Sequence, residues 1–158
     1  MLVQEIDKYF VIKPGPLGSP NSYLGNKVLK VTLDNSVKAC AFSSSQYVKD
    51  VIENVERNLK EMGLSLNKKA TASILVNYSP EIDGTSKLND NDASFYQSLI
   101  RIFRWIGELR RMDICCEVSM LALHMVLPHI GHMEQGLHIF SHLKSHHNTD
   151  MIFDPSET

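Results

Sequence analysis

The chain has 158 residues, 43% of them apolar and 22% charged, and a net charge of −2 at neutral pH. That is enough chain for a packed core burying roughly 70% of the unfolded surface, and too near neutrality for a binder relying on overall positive charge. No apolar run approaches the roughly 20 residues that span a bilayer, so no membrane partner is expected.

Taken in order, residues 1–10 place Leu2, Val3, Ile6 and Phe10 on one face and read as the end of an amphipathic helix. Met1–Glu5 lacks the basic and apolar regions of a secretory leader. Pro14-Gly15-Pro16-Leu17-Gly18 breaks the helix, and Ser19-Pro20-Asn21 extends the break. Tyr23–Leu33 reads as a strand, with Leu29, Val31 and Leu33 alternating against Lys30 and Thr32. Asp34-Asn35-Ser36 is a turn, and Val37–Phe42 is the returning strand. A helix over 44–63 follows, with Ser44 or Ser45 as N-cap. Its stripe is Val48, Val51, Ile52, Val55, Leu59 and Met62, and Gly63 stands at the positive-φ position past its end.

Residues 64–94 have no clear periodicity and are rich in Asn, Ser, Asp and Lys. At about 30 residues this stretch exceeds ordinary loops, so it is either a partly ordered wrap or a flexible connector. Three helices are expected after it. The first, 95–111, places Phe95, Leu99, Ile102, Ile106 and Leu109 on one face and Arg101, Arg104 and Arg111 on the other. The second begins at Asp113 and is apolar nearly all round through Leu127, so it should be central and buried. Pro128 and Gly131 separate it from the third, His132–His147, and Thr149–Phe153 reads as a short final strand.

Charge is unevenly distributed along these elements. Lys8, Lys13, Lys27 and Lys30 outnumber Glu5 and Asp7 in residues 1–30, and Arg101, Arg104, Arg110 and Arg111 outnumber Glu108 in 95–111. After residue 111, Lys144 stands alone against six acids. Attraction to phosphate would therefore be local.

Several stretches resemble the copia-type retrotransposon reverse transcriptases. Asp7-Lys8-Tyr9-Phe10 is similar to the end of the family's palm helix, and Tyr23-Leu24-Gly25 to its primer-grip strand. Gln46-Tyr47-Val48 is similar to the start of the next helix. Phe95-Tyr96-Gln97-Ser98-Leu99-Ile100, Trp105, Arg111, Asp113-Ile114, Val118-Ser119-Met120-Leu121, Pro128, His132 and Ile139-Phe140-Ser141-His142-Leu143-Lys144 follow in the order of its thumb. The chain departs from the family at Arg101, commonly Gly, at Arg110, commonly small or Thr, and at Ser36, often Gly. A serine at positive φ costs about 1 kcal/mol.

The resemblance implies an α+β, mainly α fold. The end of a palm-like region and a primer-grip-like hairpin would occupy 1–43, an amphipathic helix 44–63, a polar connector 64–94 and a three-helix thumb-like bundle 95–158. It further implies that Tyr23, Leu24, Gly25 and Lys27 press on the primer backbone and that Arg101, Arg104 and Arg111 follow the sugar-phosphate chain of a primer–template duplex. The family's Mg²⁺-binding Tyr-x-Asp-Asp is not in this sequence, which has no Asp-Asp pair. No cofactor and no polymerase activity are expected of this chain alone, since two-metal chemistry needs clustered carboxylates. A helical protein–protein interaction module, decayed or reused from a retroelement, is the competing reading.

The remaining candidates read as structural. His138, His142 and His146 recur every four residues, with His147 adjoining, but neither cysteine nor His-Glu-x-x-His accompanies them at zinc-ligand spacing, so a partly exposed helix face is expected. His124 reads as a core or interface histidine. Cys115-Cys116 lie in apolar surroundings and are expected to be buried. With Cys40 they make an odd, unpaired set that suits a reducing, intracellular and cytoplasmic setting.

Overall fold

A computed structural model describes residues 21–67, 69–109 and 111–155. The expected helix over residues 1–10 and the Pro-Gly break at 14–18 lie outside that range. The fold is α+β and mainly α: among the described residues, a four-stranded antiparallel sheet lies beside four helices.

The sheet has the order β1-β2-β3-β4, formed by Ser22–Tyr23, Asn26–Thr32, Lys38–Ser43 and Asp150–Phe153. The single strand expected over 23–33 is interrupted. Leu24 and Gly25 both have positive φ, +50° and +88°, the signature of a two-residue hairpin turn matched to strand twist. β2 and β3 join through the expected Asp34-Asn35-Ser36 turn. Ser36 has φ +64°, and the Asn35 side chain accepts a bond from the Val37 amide. The final strand forms where expected and pairs Cys40 with Phe153 and Phe42 with Met151.

Helix α1, Ser45–Glu61, buries Val48, Val51, Ile52, Val55 and Leu59. It ends at Gly63, whose φ is +73°, with the Leu64 amide on the Leu59 carbonyl and the Gly63 amide on the Lys60 carbonyl. This paired closure satisfies carbonyls that the helix end leaves open.

Residues 64–67 and 69–89 form an ordered wrap. Leu66, Ala70 and Pro80 are buried, a short 3-10 turn spans Pro80–Ile82, and Gln135 binds residues 73–75 through both ends of its amide, accepting from Leu75 N and donating to the Ser73 carbonyl. Of the two alternatives left open for this segment, the wrap is the one that forms, because buried Gln135 and half-buried His138 satisfy its backbone.

Helix α2 runs from Asp90 to Glu108, starting five residues earlier than expected. Its N-cap Asn89 accepts from the Asp92 amide and donates to the Asp92 carboxylate. The fully buried face is Tyr96, Leu99, Ile100, Phe103 and Ile106; Phe95 and Ile102, placed on that face from the spacing, are half-buried at its margin. A second correction concerns α3, which is only Cys115–Ala122 after a 3-10 turn at Met112–Ile114. Ile114, Val118 and Leu121 are buried, but the chain leaves helical geometry after Ala122, and Leu123 and Val126 stand in solvent. Asp113 does not cap the helix; Arg111 takes its carboxylate. Helix α4, Ile130–Ser145, packs its buried face on α1 and α2, where the Phe140 and Phe103 rings lie 4.3 Å apart.

Candidate nucleic-acid interface

The hairpin tip is built by the positive-φ pair Leu24-Gly25. Leu24 and Tyr23 are more than half exposed, and nothing lies within 4 Å of where a Gly25 side chain would sit. Tyr23 pairs with Asn26 and its ring meets Phe42 edge-on at 6.5 Å. The alternation of β2 puts exposed Lys27 on the opposite face from Tyr23, in line with Ser43 and Asp150 across the sheet. Asp150 therefore offsets part of that lysine's field. Asn26 is buried, and its side-chain oxygen has no hydrogen-bond partner among the described residues.

On α2, Arg101 and Arg104 are exposed, and neither forms an ion pair with a described carboxylate. The pairing of Arg104 with Glu108 that their spacing allows does not form. Trp105 lies beside them with 40% of its surface open. Arg101, Arg104, Trp105 and Glu108 recur at three and four residues and so share one side of the helix. Trp105 is the residue that the charge pattern alone passes over. Its signal is positional: a large ring on the polar side of an amphipathic helix is a surface on which a base can stack. Arg104 also borders a concavity of about 470 Å³ between α2 and α3, lined by Phe103, Gly107, Cys115, Val118 and Ser119.

Arg111 is not part of this face. It lies beyond the end of α2 and is 1% exposed, the largest fully buried side chain among the described residues. Its guanidinium binds Asp113 through two bonds of 2.8 and 2.6 Å and donates to the His146 carbonyl at 2.8 Å. The expectation that it follows phosphate alongside Arg101 and Arg104 is corrected: the side chain is buried and each of its three nitrogens is engaged inside the fold. The Arg111 hydrogen bonds hold the Asp113 carboxyl below its ordinary value, against the opposing effect of burial.

Two further placements differ from expectation. Cys115 and Cys116 are exposed, since they sit in the first turn of a short surface helix. Partial burial, followed by the nearby Asp113 and Glu117 carboxylates, raises the Cys115 thiol above its usual range. His138, His142 and His146 do line one helix face, with His142 and His146 stacked at 4.5 Å. They are engaged by Ala72 O, Asp113 and His142 O respectively. Among the described residues no group of three or more His, Cys, Asp or Glu side chains is placed to hold a metal ion. No described helix is long and apolar enough to cross a membrane.

Comparison with protein-family models, curated proteins and solved structures finds no match to this chain.

Proposed function

We propose that this chain is the primer-grip and thumb portion of a copia-type reverse transcriptase, and that it clasps a primer–template duplex within that enzyme without performing its chemistry. The observation that supports this reading is an exposed, tightly turned hairpin ahead of a helix that bares Arg101, Arg104 and Trp105. These features fall in the same chain order as the family's grip and thumb. Lys27, Arg101 and Arg104 supply charge to the phosphates, and Trp105 and Tyr23 supply stacking surface. Contacts of this kind hold a duplex without reading its sequence. The free state of all three cysteines fits an intracellular, reducing setting.

Fluorescence anisotropy with a labelled DNA duplex and an RNA–DNA hybrid tests the proposal. Three phosphate contacts give a logarithmic salt slope of about −3. Replacing Lys27, Arg101 and Arg104 together with Ala should flatten that slope and weaken binding to both duplexes alike. Unchanged affinity in the triple variant, or no binding by the original at low salt, would refute it. The second reading, a protein-interaction module, draws on a different observation: Leu123, Val126 and Leu127 are exposed on the loop after α3. An apolar loop of this kind is a contact surface for another protein.

A further inference from the structure

Where the wrap meets the start of α4, three histidines and a carboxylate converge. His132 is 2% exposed. Its Nδ1 accepts a 2.8 Å bond from the His129 amide, and its Nε2 lies 3.1 Å from the Pro80 carbonyl. An amide N–H only donates and a carbonyl only accepts, so both bonds form together only with the neutral ring carrying its proton on Nε2. The same junction is closed by four further bonds: Leu88 N to Pro128 O, Ile130 N to Ser86 O, Gly131 N to the Thr85 hydroxyl, and the His129 ring to Asp83 O. The fit is close, since a side chain at Gly131 would overlap the Asp83 carboxylate.

The groups facing His132 come from every neighbouring element. From the loop after α3, His124 stacks on it at 4.3 Å; from its own helix end comes His129, at 5.5 Å. From the wrap, Asp83 lies 4.0 Å from Nε2, already accepting from Thr85 and from the Tyr78 hydroxyl, with Glu134 of α4 acting on that tyrosine. From α2, the Tyr96 ring lies at 6.4 Å, its hydroxyl donating to Leu121 O.

We infer that His132 is the proton-sensitive catch of a latch that ties segment 78–88 to the start of α4, and that protonating it frees that segment. A second proton must enter at Nδ1, where it meets the His129 N–H and cancels that bond. The resulting cation is buried between two other imidazoles, and Asp83 at 4.0 Å compensates only in part because its oxygens are already committed. Burial, then the two neighbouring histidines, lower the affinity of His132 for this proton, while the Pro80 bond and Asp83 work the other way. The closed latch therefore belongs to neutral pH, and it loosens as pH falls below 6.5, the ordinary value for the group.

Hydrogen exchange of the full chain, expressed as protection factors, tests this. Protection of amides 83–88 should fall between about pH 7.5 and about pH 5.5 by several-fold more than that of the α1 core, which follows global stability. His132→Gln presents an oxygen to the His129 amide and an N–H to Pro80 without titrating, so its segment should remain protected at both values. A pH-dependent loss that persists in His132→Gln overturns the inference. Because that variant could fail to fold, ring-nitrogen NMR shifts of the unaltered protein provide a second test. His132 should be the Nε2–H form near neutrality and should protonate in step with the loss of protection. A ring that stays neutral while the segment opens, or protonates while it stays closed, overturns it equally.

Discussion

Arg111 binds three acceptor atoms, the two Asp113 oxygens and the His146 carbonyl, and so ties the turn before α3 to the end of α4. Removing it would leave the His146 carbonyl with only the longer 3.3 Å bond from the Thr149 hydroxyl and open a cavity the size of a long side chain. Arg111→Ala should cost about 2–3 kcal/mol in urea denaturation, from lost packing and hydrogen bonds of the buried guanidinium, since the Asp113 carboxylate left behind is 39% exposed. Arg111→Lys should recover little, because an ammonium cannot reproduce the fork. By contrast, Arg101→Ala and Arg104→Ala, on the exposed face, should each cost under about 0.5 kcal/mol. Leu99 is fully buried against the core, and Leu99→Ala should cost about 2–5 kcal/mol. If Arg104→Ala proved costlier than Leu99→Ala, the orientation of α2 would be wrong. Cys115 is reachable but has a raised thiol pKa, so it should react with iodoacetamide at neutral pH more slowly than free cysteine, measured by mass spectrometry.

At the level of elements, what was legible is what local chemistry decides. The α1 stripe and its Gly63 stop were readable because period and C-cap agree, and Gly63→Ala, forcing a Cβ onto φ +73°, should lower stability by about 1 kcal/mol in the same assay. The turn at 34–36 and the last strand were readable for the same reason. Tertiary partners decided the rest. The start of α2 lay hidden in a polar run because Asn89 and Asp92 look like loop residues until their reciprocal bonds form. The run from Ile114 to Leu127 looked like one buried helix because every residue type suited it; the chain turns away after Ala122, and no local signal short of Pro128 marks that. In the candidate interface, Lys27, Arg101 and Arg104 stand exposed as read. The displacement of Arg111 into the interior depends on Asp113 and on a carbonyl 35 residues away, which spacing cannot reveal. The wrap escaped assignment because its order comes from Gln135 and His138 on another helix.

For the molecule as a whole, the buried histidines and carboxylates set how stability follows pH. His132 and His142 are both lowered from 6.5, chiefly by burial. The unfolded chain therefore takes up their protons first, and stability falls as pH drops below 6.5 until the folded values are passed. Burial pushes Asp83 up, but its Thr85 bonds prevail and leave it below 3.8; Asp113 is lowered mainly by Arg111. Their contribution is present above 3.8 and is lost as pH falls through their folded values. Urea midpoints should thus be level from pH 6.5 up to the alkaline range near 9.0 where the raised Cys115 thiol begins to count, and decline in two stages on acidification, and a midpoint that rose between about pH 6.5 and pH 5 would contradict these assignments. The closing strand carries a separate consequence for how the chain is made. Phe153 pairs with Cys40 across 113 positions of sequence, so one edge of β3 stays bare throughout synthesis of the intervening helices. Such distant pairing slows folding, and a bare edge invites pairing with another chain. A nascent chain stalled before Asp150 should accordingly aggregate more readily than the finished one, however well its helical half has already packed.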